Sequence, residues 1–331
     1  MTQGIKIPKN RKTVVGVGSA LMDILAREPD EFIRRLGVEK GGMNLVDQEY
    51  IDRLVARTAS PLSIVSGGSA CNSAIGVAKL GGSGRFVGKM GADEMGRLFR
   101  QDLIDNFVDP VLLNSETPTG RVLSVITPDA QRSMFTYLGA SAEMLPDEIS
   151  ADCFHDAAIV HVEGYLLFNR ELMMAVLEAA KSGGALVSLD LASFNVVEAS
   201  RDVLDDIIRE YVDILIANED EARAYCGDVS EDEAILLMAA NVDAAVLKVG
   251  PRGSFVACEN QVFTIAPKGS GDALDTTGAG DLWASGFLFG MVSGYSVEKS
   301  GQIASACGYE VCQVIGAKIP EDGWERIRSL I

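Results

Sequence analysis

Short runs rich in Val, Ile and Leu recur along this chain of 331 residues, and stretches with helical spacing of apolar residues separate them. "TVVGVGS" (13–19), "GRFVGKMG" (84–91), "AAIVHVEGY" (157–165), "GALVSLDL" (184–191), "VDILIAN" (212–218) and "DAAVLKVG" (243–250) read as buried strands. Residues 69–81, 93–105, 170–181, 201–210 and 231–240 read as helices between them. Strands without polar alternation need cover on both faces, which helices on either side of a mostly parallel sheet supply. The pattern predicts a doubly wound α/β fold. Two segments depart from it. "GRVLSVITPDAQRSMFTYLGA" (120–140) holds two strand-like runs around a turn, and the region near 24–50 is rich in turn residues. They predict a small β-rich lid, inserted as about 24–50 and 110–140 in one domain spanning 1–331.

Composition removes several function classes. The formal net charge is -18, which repels nucleic acid backbones and anionic membranes, so neither is an expected partner. No apolar run reaches the roughly 20 residues that cross a bilayer. The polar start "MTQGIKIPKNRK" does not read as an export signal, and a cytoplasmic location is expected. The six cysteines form no CxxC pair and read as reduced thiols. With two histidines, His155 and His161, and no HExxH, neither a zinc site nor a Ser-His-Asp hydrolase is expected. GxxxxGK[ST] is absent, and "GVGSA" lacks the full dinucleotide-binding pattern.

"DTTGAGD" (275–281) runs directly into the apolar "LWASGFLFGM". Gly278, Ala279 and Gly280 have little or no side chain, so their N–H groups can approach a ligand closely. A helix opening there adds unpaired donors and a partial positive charge, which suits a phosphoryl group. Asp281 in the first turn is placed to accept the proton of an attacking hydroxyl. GxGD alone also suits an ordinary capped helix.

The longer motif is more specific. Together with "SGGSACNSAIGVAKLGG" (66–82) and "FVGKMGADEMGRLF" (86–99), "DTTGAGD" resembles the PfkB/ribokinase family of carbohydrate and nucleoside kinases. The likeness runs from about Val14 to the C-terminal helix, and it implies ATP as co-substrate with Mg²⁺. By the resemblance Asp281 is the catalytic base, with Gly278, Ala279 and Gly280 as the anion hole. Asp23, Gly67, Gly68 and Asn72 match substrate-binding positions; a strand-end cap at Asp23 and a satisfied buried amide at Asn72 are the plainer alternatives. Asn218 and Glu221 match positions that organise Mg²⁺ through water. Asn218, Lys248, Gly250, Gly253, Ala304 and Cys307 match the nucleotide side, although the helix with Ala304 and Cys307 reads equally well as core. Asp275 and Thr277 match a site for a monovalent cation, K⁺. Arg132 reads as an exposed lid residue that could approach phosphates on closure.

"FTYLGASAEMLPDEI" (135–149) and "CGYEVCQVIGAKIPE" (307–321) are similar to the bacterial adenosine kinase-like branch. That implies phosphorylation of the 5′-hydroxyl of adenosine or a related nucleoside. Met43, Phe135, Tyr137, Leu138 and Phe168 are candidates for a base slot or for ordinary packing. The alternatives are a sugar kinase acting on ribose or fructose, and a non-catalytic ligand-binding regulator. Lid edges often pair between subunits in this family, so a homodimer is an expectation.

Overall fold

Among the described residues, fourteen strands form two sheets of different character. They are β1 (Thr13–Val17), β2 (Leu21–Arg27), β3 (Met43–Leu45), β4 (Ser63–Gly67), β5 (Ser83–Gly91), β6 (Val108–Ser115), β7 (Gly120–Ile126), β8 (Arg132–Tyr137), β9 (Ala157–Glu163), β10 (Leu186–Asp190), β11 (Ile214–Asn218), β12 (Ala244–Lys248), β13 (Ser254–Cys258) and β14 (Gln261–Ile265). These come from a computed structural model that describes residues 5–38, 40–129, 131–269 and 272–331. The first four residues of the polar N-terminal stretch, and Glu39 and Ala130 of the expected lid, lie outside the described residues.

The large sheet has the order β14-β13-β12-β11-β10-β9-β1-β5-β6. It is parallel from β6 through β12, and β13 and β14 close one end as an antiparallel pair. Val14, Val15 and Val17 of β1 are fully buried, as are Ile159, Val160 and Val162 of β9. Separate apolar clusters on opposite faces share them. This is the doubly wound architecture the apolar runs predict, and burial on both faces is why those runs show no alternation.

The second sheet has the order β3-β8-β7-β2-β4. Its residues alternate, as a half-covered sheet requires. Ile24, Leu123, Val125 and Phe135 pack with Ile33, Ile51 and Leu54, from the Asp30–Leu36 and Gln48–Arg57 helices. The opposite face carries Asp23, Val122, Arg132, Met134 and Thr136 toward a cleft. The expected lid boundaries need correction. β4 adds residues 63–67 to this sheet, whereas Val108–Ser115 pairs with β5 in the large sheet. The strand-end cap offered for Asp23 does not hold: Asp23 is the third residue of β2 and pairs with Val65 and Val122.

Candidate active site

A cleft of about 960 Å³ lies between the two sheets. On the large-sheet side, four consecutive parallel strands each end in a polar residue at its wall: Glu163, Asp190, Asn218 and Lys248. Carboxyl ends of parallel strands are where open α/β sheets bind ligands.

The Ala279–Val292 helix closes one end, and its position follows from small residues. It is apolar and buried from Leu282 to Val292, so it packs on all sides. A Cβ on Gly286 would lie 2.6 Å from the Ala304 Cα, and a Cβ on Gly76 would collide with the Ser285 side chain. Both neighbouring helices, Ser69–Lys79 and Val297–Cys312, therefore approach at backbone distance. The first approach sets the site. Ser69 Oγ donates to Asp281 Oδ1 at 2.7 Å, Asn72 Nδ2 donates to Asp281 Oδ2 at 2.9 Å, and Ser73 Oγ donates to the Asp281 carbonyl at 3.0 Å. Asn72 is thus a buried amide aimed at the Asp281 carboxylate. Burial pushes the Asp281 carboxyl up, and the Asn72 and Ser69 donors pull it partly back.

Gly278 caps this helix with φ +74°, and a Cβ there would lie 2.6 Å from the Ala317 Cβ. Glycine is required at that turn for both reasons. A Cβ on Gly280 would lie 3.0 Å from Lys248 Nζ, so a buried ammonium abuts the backbone of the helix opening. Lys248 donates to Asp190 Oδ2 at 2.8 Å. Burial opposes its charge, but Asp190 and Glu221 outweigh that and hold the ammonium above its ordinary pKa. Lys248, Gly280 and the helix N-terminus thus put a positive charge beside backbone donors, an arrangement whose chemistry favours an anion.

Asp23 faces the cleft from the second sheet. Its carboxyl is pushed up to about 6 by burial; Arg132 opposes the shift and Asp281 adds to it. Gly67 borders it so closely that a Cβ would lie 2.6 Å from its carboxyl carbon. Gly68, with φ +94°, caps the Ser69–Lys79 helix. Glu163 escaped the sequence reading. It accepts from Ser19 N–H at 2.8 Å and Ala70 N–H at 3.2 Å, which ties β1, β9 and the Ser69–Lys79 helix together. Burial pushes it up to about 7. The available signal was its position, the last residue of a buried parallel strand.

Asn218 and Glu221 form a capping box. Asn218 N–H and Nδ2 donate to Glu221 at 2.8 and 2.7 Å, and Glu221 N–H donates to Asn218 Oδ1 at 2.9 Å. Each Glu221 carboxylate oxygen accepts one of these donors and keeps a lone pair for water, which fits a water-mediated hold on Mg²⁺. Burial, then Asp190, pushes Glu221 up to about 7, an environment in which an added cation would restore its charge. Among the described residues, no group of three His, Cys, Asp or Glu is arranged to hold a metal directly. Asp220, between Asn218 and Glu221 in the chain, is exposed beside Arg223.

Gly250 and Gly253 form the β12–β13 turn with φ +54° and +103°. They sit at the same strand ends as Asn218 and Lys248 but outside the cleft lining. Ala304 and Cys307 are corrected: both are fully buried against the Ala279–Val292 helix and offer no surface to a nucleotide. Arg132 is also corrected. Its side chain is 10% exposed, and it reaches across the cleft to Thr277 and to Asp275 at 3.5 Å. Of the five base-slot candidates, Met43, Leu138 and Phe168 line the cleft; Phe135 is in the core of the second sheet, and Tyr137 lies under Arg121.

Residues 43–323 match the pfkB family carbohydrate kinase model. A probable sugar kinase from Rhizobium etli is 33% identical, with 97% of this chain and 99% of that chain covered and a TM-score of 0.88. The adenosine kinase of Sinorhizobium meliloti is 31% identical over 97% and 100%, with the same TM-score. A probable fructokinase-4 of Arabidopsis thaliana is 29% identical over 73% of this chain and 80% of its own length. The Gly278–Asp281 helix opening, buttressed by Lys248 and by the Ser69–Lys79 helix, is thus found in a chain that belongs to the pfkB family and is a kinase of its adenosine kinase-like branch.

Proposed function

We propose that this kinase transfers the γ-phosphoryl group of ATP to the 5′-hydroxyl of adenosine or a related nucleoside. The observation that carries the reading is the mixed lining of one cleft. Asp23 and Asp281 provide carboxylates for a sugar, and Met43, Leu45, Leu138 and Phe168 expose an apolar wall in the same space. Their exposures of 50%, 67%, 37% and 63% suit a partner with a flat apolar face, such as a purine. A free sugar is smaller and would leave much of that wall uncovered.

The mechanism follows from the positions of the groups. Asp23 accepts hydrogen bonds from the ribose hydroxyls. Asp281, held by Ser69 and Asn72, takes the proton of the attacking hydroxyl as its oxygen bonds to the γ-phosphorus. Burial brings its basicity closer to neutral pH, where a general base works best. The bond from the γ-phosphorus to the bridging oxygen breaks, and ADP carries away that electron pair. The Gly278–Gly280 N–H groups and the Lys248 charge stabilise the phosphoryl group in transit. Mg²⁺, oriented through water by Asn218 and Glu221, would supply charge neutralisation on the phosphates. The second sheet excludes water from above as a lid. Exposed Leu62 and Ile64 at its β4 edge support pairing of two copies there, which light scattering would test.

The deciding experiment measures ADP release with Mg-ATP and separate adenosine, inosine, guanosine, cytidine, ribose and fructose. Preferential turnover of a purine nucleoside is expected. Turnover of a free sugar alone would transfer the protein to the second reading, a sugar kinase, which the likeness to the Rhizobium etli protein favours.

A further inference from the structure

Arg132 and a monovalent cation would compete for the same oxygens. Asp275 Oδ1 accepts from Thr277 N–H at 3.0 Å and from Thr277 Oγ1 at 2.8 Å. Its Oδ2 accepts from Gly316 N–H at 2.8 Å and lies 3.5 Å from Arg132 Nη1. Thr277 Oγ1 itself accepts from Arg132 Nη1. A carboxylate has about four lone-pair sites, and all four have donors here. The residues that the resemblance assigned to K⁺ therefore do not fit K⁺. They already hold a full positive charge, and a second cation would meet both like-charge repulsion and oxygens taken by other donors.

The guanidinium is also fixed in place. Its Nη2 donates to Ser124 Oγ at 2.7 Å on the neighbouring strand of the same sheet. Its Nε finds no acceptor among the described residues. Arginine presents a rigid, planar fork of donors, which suits several oxygens fixed at one place. The position matters because the Asp275–Thr277 turn leads directly into Gly278 and the helix opening.

We infer that Arg132 is a built-in replacement for the monovalent cation: it neutralises Asp275, fixes the turn that opens the catalytic helix, and makes turnover independent of K⁺. Arg132 begins β8 of the second sheet, so this charge reaches the helix opening from across the cleft.

The inference rests on the kinase class and not on the acceptor. The test compares chloride salts of tetramethylammonium, Na⁺ and K⁺ at equal ionic strength. ADP release is read with whichever acceptor the panel identifies, and Tm is read without substrates. The wild-type protein should show the same turnover and Tm in all three salts. Arg132→Ala should turn over slowly in tetramethylammonium and gain about fivefold or more with K⁺. Its Tm should rise by about 2 °C with K⁺. A wild-type enzyme activated about fivefold by K⁺ overturns the inference. So does an Arg132→Ala protein indifferent to K⁺ in both readouts. The wild-type series needs no variant to fold, and the Tm readings stand if the acceptor assignment fails.

Discussion

The two sides of the cleft are built by different rules. On the wall that carries Asp281, its carboxylate receives side-chain donors from Ser69 and Asn72, and the helices that carry the three meet at Gly76, where no Cβ fits. On the opposite wall, Asp23 stands on one strand of a half-covered sheet, and exposed apolar side chains line the cleft that it faces. The first side is determined by packing and the second by what it will bind. A rigid scaffold can keep a common chemistry while the opposite wall changes its ligand.

The sharpest way to break this contrast is Asp281→Ala. We expect kcat to fall by about 10³–10⁴-fold with little change in far-UV circular dichroism. Turnover within about tenfold of wild type would remove Asp281 from the role of base.

Asp23→Asn should separate function from stability. The Asp23 carboxyl has a folded-state pKa of about 6 against an ordinary 3.8, so the folded protein binds its proton more tightly than the unfolded chain does. Its burial therefore costs little below about pH 4, and the cost grows as pH rises through about 6 and is complete above it. Asn should raise stability by about 1–3 kcal/mol near pH 8 and by much less near pH 4, while acceptor binding is largely lost. Urea midpoints at the two pH values, paired with the acceptor KM, decide this. Equal gains at both would mean that Asp23 is not strained by burial.

Gly286→Val tests the packing side. Adding side-chain carbons against the Ala304 backbone should cost about 1–3 kcal/mol in urea unfolding, and it should lower kcat by displacing the helix that carries Asp281. An unchanged midpoint would show that the helix contact has slack. The smallest effect belongs to the acceptor wall. Phe168→Ala should raise the nucleoside KM about tenfold while changing stability by no more than about 0.5 kcal/mol. If ribose turnover falls equally, Phe168 is not a base contact.

Which parts of this were legible in the sequence depends on the range of the interactions. The strands of the large sheet could be read because double burial leaves an uninterrupted apolar run, and the Gly278–Asp281 opening because turn, cap and first-turn carboxylate are adjacent in the chain. Asn218 and Glu221 belong with these, since a capping box spans one helical turn. Glu163, the burial of Ala304 and Cys307, and the hold of Arg132 on Thr277 depend on partners far away in the chain. No local pattern marks such a pairing. An arginine in a hairpin reads as solvated until the second sheet folds over the cleft and brings it to Asp275, and burial of that carboxylate, with its Gly316 and Thr277 donors, is what makes the charge matter there.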